Sequence, residues 1–478
     1  MGILTICIQL DKSGLAFFAL LTFIARACAG LRLSYVYQRN APRRLYFTFY
    51  WLFYLCIVGL IFSGDLMRLF LFWDGLGITS FFLVGLFRGS GPRSGALLTL
   101  LSNRAGDVFL IVGRAGLWAR GGLVYSTWSS IACWAGGFVF FGLLCKRAQW
   151  PVSGWLPAAM SAPTPVSALV HSSTLVTAGL YIAIRLGPGL LAWSFVWLGV
   201  GLCTFLLGGA SAMLSYDIKR IVAMRTLSHL GLMAATLSAG YARTTFFHLL
   251  VHALFKSNAF LSAGNLITSA KHTQDLRLMG APFVFAPLST LSLLARVWSL
   301  GGLPRALSYF SKGSCVMGGH SSGFSLLLLG GVLIGVAYTG RLTWVLLGDV
   351  TPSPHPVGGL LLPGVEYPVF FRTLLGIVGA FVSGTMAAAP RARFGWEATI
   401  ISGGLGVIGV LCCSSCRSGG GSTGAYHIGS ILCFHRRGRP NSIIVRRWEQ
   451  RAGPELLGRG AWGSVRGLGV WFSGLKWL

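Results

Sequence analysis

The chain has 478 residues, 54% of them hydrophobic and only 10% charged, with 66 glycines and a mean hydropathy of +0.70. Soluble chains carry roughly 25% charged residues, so an ordinary soluble domain is excluded and the solvent for most of this sequence is a bilayer. The formal charge of +28 comes from 39 basic against 11 acidic residues, but no compact basic domain occurs before the last ~50 residues, and no nucleic-acid partner is expected. The basic residues divide into 7 Lys and 32 Arg, a skew that fits a GC-rich coding genome and makes the few lysines informative. Most of the 11 cysteines are single and lie in apolar stretches, as Cys56 and Cys203 do, which suits small apolar side chains better than a disulfide framework.

A bilayer-crossing helix needs about 20 mostly apolar residues. Such stretches fall at 14–33, 45–62, 66–87, 97–115, 129–145, 151–186, 190–214, 218–239, 243–268, 282–312, 322–348, 368–389 and 397–413. The fold class expected is therefore an all-α polytopic membrane protein with about thirteen transmembrane helices. The first strongly apolar stretch, Ala16 to Leu33, is followed by a basic loop and no small-residue cleavage site, so no cleavable signal peptide is expected. Segment 151–186 contains Pro151, Pro157, Pro163 and Pro165, and segment 282–312 contains Gly301, Gly302 and Pro304. Both read as discontinuous helices, which hydrocarbon tolerates only where the freed backbone is buried in protein or lines a wet cavity, and which transporters use at ion sites. Each has a lysine beside it, Lys146 and Lys312, and an inverted repeat is expected.

The basic loops 34–44, 88–96, 215–220 and 269–281 fall on one side by parity, assigned to the matrix or cytoplasm. The division expected is a transmembrane domain over 1–413, with its core at 45–348, followed by a basic segment over 414–478 that begins as a Gly/Ser run.

Charges inside the membrane carry the chemistry. Asp74 lies in LFLFWDGLGITSFFLVGLF, where an unpaired carboxylate costs several kcal/mol and marks ion or proton pathways more often than a structural ion pair. Asp107, in SNRAGDVFLIVG, is read as the partner of Arg104 on one helix face, a structural pair. Lys146, in FGLLCKRAQWPVSGW, ends an apolar run before the first break. A lysine in a polar membrane pocket exchanges protons when a carboxylate moves near it; the alternative is a snorkelling helix end. Lys312, in GGLPRALSYFSKG, has the same two readings. His171 sits among Ser167, Ser172, Ser173 and Thr174, either a satisfied core residue or a proton carrier. His248, His252 and Lys256 are spaced four apart and form one helix stripe, for which proton relay is a sharper reading than a metal site. The group Cys412, Cys413, Cys416, Cys433 and His435 matches no closed zinc spacing. With no phosphate loop and no cysteine set for an iron–sulfur cluster, this chain is expected to bind no cofactor or metal.

The runs WDGLGITSFFLVGLF, SNRAGDVFLI, KRAQWPVSGWLPAAMSAPTPVSALVHSSTLVTAGLY, SYDIKRIVAMRTLSHLGLM, FFHLLVHALFKSNAFLSAGNLI and KHTQDLRLMG together resemble the subunit 5 family of respiratory complex I, NADH-ubiquinone oxidoreductase. The resemblance extends from about Leu10 to Lys312, with weaker echoes at AYTGRLTWVLLGD and WEQRAGPELLG. It implies an antiporter-like fold and proton translocation through a carboxylate at Asp74, where the family has Glu, a broken-helix lysine at Lys146, His171, the relay His248, His252 and Lys256, and an exit-side lysine at Lys312. The family's usual His after the first break is Ser153 here, the acid before Pro-Thr-Pro is Ser161, and the acid after the last lysine is Gly313.

The resemblance further implies that the chain starts at the family's third helix and stops before its last, and that 414–478 is a remnant of its lateral helix. Implied partners are the other membrane-arm subunits and the lipid bilayer, cardiolipin included. NAD, FMN, iron–sulfur clusters and ubiquinone are expected in other subunits, and the compartment implied is the mitochondrial inner membrane, with organelle coding. In the mechanism read from this, separation of an Asp74–Lys146 pair starts proton movement through His171 and the α-helical stripe to Lys312. A cation/proton antiporter subunit of the Mrp type and a non-pumping scaffold are the rival readings.

Overall fold

The computed structural model describes residues 8–37, 43–87, 89–118, 133–187, 193–270, 272–279, 282–302, 307–318 and 325–347. All belong to the first of the two units into which the chain divides, Met1–Ser415. The expected spans 368–389 and 397–413 and the segment 414–478 lie outside the described residues.

The described chain is helical throughout, and its β-structure is confined to two isolated bridges, Ile8 with Ser63 and Asp217 with Asp275. In order the helices are α1 (Lys12–Tyr37), α2 (Arg43–Ile61), α3 (Leu66–Gly85), α4 (Ser90–Trp118), α5 (Cys133–Lys146), α6 (Trp155–Ala159), α7 (Thr164–Leu169), α8 (Leu175–Leu186), α9 (Ser194–Leu214), α10 (Ile218–Ser238), α11 (Ala242–Ser269), α12 (Pro282–Phe285), α13 (Pro287–Gly301), α14 (Leu307–Gly318) and α15 (Ser325–Leu347). Among the described residues 8 helical spans are long and apolar enough to cross a membrane. The 28 residues of α11 are long enough too, but His248, His252, Lys256 and Asn258 make it more polar. The chain is thus a mostly helical, multi-pass membrane protein, and its burial pattern inverts that of a soluble one. Phe195, Leu71, Leu214 and Leu55 are exposed on the outside, where lipid replaces water, while Lys146, Arg147, His248 and Lys256 are enclosed.

Helical regularity fails where the prolines fall. After α5 ends at Lys146 the chain turns through Arg147 to Gly154, forms the single turn of α6, and restarts at α7. Pro163 precedes α7 and Pro165 stands in its first turn, where a missing N–H costs nothing because no intrahelical partner exists there. The backbone groups freed by the interruption are bonded from elsewhere, as hydrocarbon requires: the Trp155 indole donates to the Cys145 carbonyl at 3.0 Å, and Lys219 donates to Ala162 at 3.1 Å. Between α7 and α8 one π-turn, Val170–Thr174, carries His171. Helix α13 closes on Gly302 in the left-handed conformation with φ of 101°, a backbone state open to glycine at little cost.

Glycine also sets how closely α9 and α10 approach. A Cβ at Gly231 would stand 2.5 Å from the Phe205 backbone nitrogen and 2.6 Å from the Gly201 carbonyl, so backbone touches backbone, as at small-residue interfaces in membranes. At the turn joining these helices Arg277 and Arg341 flank the Tyr216 ring at 4.3 and 4.7 Å. In the same loop region the Arg277 guanidinium bonds Asp275 at 2.6 Å and holds its carboxyl below the usual carboxylate range.

Replacing Gly231 with Leu should separate α9 from α10 and cost at least the ~1–3 kcal/mol typical of overpacking, whereas Gly199→Ala, with open space at its Cβ, should be neutral. Thermal denaturation of the two variants in detergent checks this; equal melting temperatures would contradict the close approach.

Candidate functional site

The titratable residues of the membrane interior gather in two places. The first lies where α3, α4 and the end of α5 meet. Asp74 and Trp73 come from α3, Arg104 and Asp107 from α4, and Lys146 is the last residue of α5. Arg104 forms an ion pair with Asp74 at 2.6 Å and lies 3.7 Å from Asp107. Asp107 in turn is 3.9 Å from the Lys146 ammonium and accepts the Trp73 indole N–H at 2.9 Å. Lys146 sits over the Trp73 ring at 4.1 Å and donates to the Trp73 carbonyl. Side-chain exposure falls along this row from 44% at Arg104 and 28% at Asp74 to 4% at Asp107 and 1% at Lys146, so the row leads inward from the outer surface.

The sequence-based pairing is thereby revised in one respect. The carboxylate facing Lys146 is Asp107, which pattern reading had assigned to Arg104 alone, while Asp74 holds Arg104 on the outer side. An (i, i+3) spacing explains why Arg104 and Asp107 pair along α4. It carries no information about a third helix that brings an ammonium to the other oxygen. One turn before Asp107, Asn103 is buried with both amide atoms unpartnered, a polar spot beside the ion row.

The second place is formed by α10, α11, α13 and α14. His248, His252 and Lys256 form the expected stripe on α11, and all are completely buried. His248 Nδ1 pairs with the Ser311 hydroxyl of α14 at 2.9 Å, and its Nε2 pairs with Nδ1 of His229 on α10 at 3.2 Å. The His252 ring lies 5.3 Å from that of His229 and 6.4 Å from that of His248, and both of its nitrogens are buried and unpartnered. Lys256 donates to the Val222 carbonyl at 2.9 Å. Lys312 donates to Gly301 at 3.4 Å, the carbonyl at the end of α13. No carboxylate lies within ion-pair reach of Lys256 or Lys312 among the described residues, and none of the described His, Cys, Asp and Glu form a group of three able to hold a metal.

His171 stands apart from both places. It is buried on the π-turn, 6.0 Å from the Trp155 ring, with both nitrogens unpartnered, a geometry in which π-turns often carry function. His229 and Arg225 of α10 were not read from the sequence. His229 would have been found by the rule that flagged His171, a histidine within an apolar span. Arg225, buried, donates to the Val297 carbonyl and lies 4.8 Å from the Tyr338 ring. Arg147, next to Lys146, stacks 5.2 Å from Trp197 and reaches the Leu230 carbonyl of α10 at 3.5 Å.

The family description "NADH:quinone oxidoreductase/Mrp antiporter, TM" matches residues 63–337. The chain belongs to this NADH:quinone oxidoreductase/Mrp antiporter family. The matched region contains Asp74, Lys146, His171, His248, His252, Lys256 and Lys312, together with Asp107 and His229. Among curated relatives, NADH-ubiquinone oxidoreductase chain 5 of Anopheles gambiae is 38% identical over 351 residues, covering 69% of this chain and 59% of its own. The chain 5 of Anopheles arabiensis is 42% identical, covering 55% of this chain and 70% of its own, and that of Mytilus edulis is 35% identical, covering 72% and 62%. The chain thus spans 59% of the length of the first of these antiporter-family relatives. Among solved structures, the Mrp complex from Dietzia sp. DQ12-45-1b shares the fold with a TM-score of 0.74 at 22% identity, over 98% of this chain and 56% of that one.

The burial gradient of the first cluster predicts unequal costs for its two carboxylates. Asp107→Asn keeps the acceptor for Trp73 but strands the enclosed ammonium, and should cost about 3–5 kcal/mol as one-sided loss of a buried pair does. Asp74→Asn leaves Arg104 a second carboxylate, Asp107, at 3.7 Å, and should cost less. Thermal denaturation of both variants decides; equal losses would mean that burial does not govern this row.

Proposed function

We propose that this chain is a proton-translocating membrane-arm subunit of an NADH:ubiquinone oxidoreductase, coupling quinone reduction elsewhere in the complex to proton movement. The observation that carries the reading is the pair of enclosed, titratable clusters at helix interruptions, within a chain 35–42% identical to chain 5 of that enzyme. Buried ionisable groups are retained in membranes chiefly for ion and proton pathways.

In the first cluster, an opposite charge within reach favours the protonated ammonium and its withdrawal favours proton release. Arg104 lies within 4 Å of both Asp74 and Asp107, so a shift of Arg104 toward Asp107 changes the charge that Lys146 meets. A proton released at Lys146 Nζ passes by way of His171 to the histidines and Lys256 of α11, and leaves through Lys312. Asp74 then acts through Arg104 and the ion row, and the initiating pair is Asp107–Lys146. The reading includes thirteen spans in all, two discontinuous helices and an inverted repeat about the two interruptions. It also takes 1–413 as the transmembrane domain and 414–478 as a separate basic segment, the other membrane-arm subunits and bilayer lipid, cardiolipin included, as partners, and the mitochondrial inner membrane as the compartment. NADH, flavin, iron–sulfur and quinone chemistry is assigned to other subunits.

The fold shared with the Mrp complex supports a second reading, a cation/proton antiporter subunit. Native-gel separation of solubilised membranes with an in-gel NADH dehydrogenase stain separates the two: the first reading expects the chain in the stained high-mass band, the second in a smaller unstained assembly. Lys146→Met should abolish proton translocation through the chain while leaving it inserted, measured as protons moved per NADH oxidised in sealed vesicles. Normal translocation in that variant would leave the scaffold reading.

A further inference from the structure

The relay inferred above runs along α11 and crosses to α14, and its crossing point is the imidazole of His248. A histidine ring in a membrane interior rotates about two bonds and carries its neutral proton on either nitrogen, so a relay through it works only when one nitrogen is held toward the next group. His248 is held on both sides: Nδ1 by Ser311, at 2.9 Å, and Nε2 by His229, at 3.2 Å. All three side chains are buried, so bulk water does not compete for these bonds. Two imidazole nitrogens facing each other at this distance accommodate one proton between them, since two N–H groups clash and two lone pairs repel. The tautomer of His229 therefore fixes that of His248. When His229 donates from Nδ1, His248 accepts on Nε2 and directs its own N–H at the Ser311 hydroxyl, adjacent in the chain to Lys312.

We propose that His229 is a positioning residue for the relay: it holds His248 with Nδ1 toward Ser311 and sets which nitrogen carries the proton. The inference rests on the proton-translocation reading. His252 does not supply this function, because both of its nitrogens lack partners. Nor does burial alone require a histidine at position 229, because an apolar side chain would fill the same space without orienting the ring. The seam between α10 and α11 is polar at a second level, where the Thr236 and Thr245 hydroxyls bond at 2.8 Å, so the His229–His248 contact belongs to a line of side-chain bonds between these helices.

The test uses the assembled complex in sealed native-membrane vesicles, reading protons translocated per NADH oxidised alongside the amount of assembled complex. His229→Leu should lower the proton-to-NADH ratio by at least twofold at an unchanged level of assembly. His229→Gln, whose amide can donate to His248 Nε2 without itself titrating, should restore the ratio. A normal ratio in His229→Leu overturns the proposal, and so does a Gln variant no better than Leu, because a positioning role is met by an amide. Should His229→Leu fail to accumulate, Ser311→Ala removes the bond on the other side of the same ring: a lowered ratio supports the proposal and an unchanged one overturns it. Lys146→Met run in parallel separates the two levels. If it translocates normally the proton reading itself fails, whereas a dead Lys146→Met beside a normal His229→Leu removes only the role of His229.

Discussion

The bond on which the interior of this protein depends is that between a buried ammonium and a backbone carbonyl. Lys146 donates to Trp73, Lys219 to Ala162, Lys256 to Val222 and Lys312 to Gly301. Two of these bonds, to Ala162 and Gly301, answer two demands at once. An enclosed cation needs an acceptor, and an interrupted helix in hydrocarbon needs donors for the carbonyls it has released. The Ala162 carbonyl stands between α6 and α7 and the Gly301 carbonyl at the end of α13, so there the lysine and the helix end support each other. A carbonyl is also a neutral partner. It stabilises an ammonium without supplying the full opposite charge of an ion pair.

From this follows the difference between the two clusters. The first contains carboxylates as well as cations and opens toward the outer surface through Arg104 and Asp74. The second contains His229, His248, His252, Lys256, Lys312 and Arg225 against carbonyls and hydroxyls. Protonated bases placed this close together would repel one another strongly, and the acceptors that face them are neutral carbonyls and hydroxyls. On the proposed function, control by mobile opposite charge falls to the first cluster and control by hydrogen-bond direction to the second.

The helical, multi-pass character of the fold was legible because a bilayer makes the code simple: apolar length gives spans, of which 8 stand among the described residues. Pro151, Pro157, Pro163 and Pro165 coincide with the break between α5 and α8, and Gly302 closes α13. The stripe of His248, His252 and Lys256 was legible for the same reason, since its spacing lies within one helix. The partners across helices were not. Asp107 looks self-sufficient beside Arg104 in sequence, and its contact with Lys146 is made only when α5 packs against α4. Likewise His229 could be flagged from the sequence as a histidine within a span, but its bond to His248 is made only when α10 packs against α11. Spacing encodes neighbours along a helix, while neighbours between helices are set by packing, here at glycine contacts that no periodicity announces.

The element joining these levels is α10. Gly231 lets it approach α9 backbone to backbone, His229 faces α11, and the Leu230 carbonyl between them meets Arg147, the residue after Lys146. Three consecutive residues therefore touch three different parts of the molecule: the glycine interface, the histidine pair and the end of the helix that carries the first lysine. A displacement at the end of α5 cannot leave α10 untouched, because the Arg147 side chain is fully enclosed and close-packed interiors transmit strain rather than absorb it. The first cluster is thereby mechanically adjacent to the second, through packed backbone and one guanidinium.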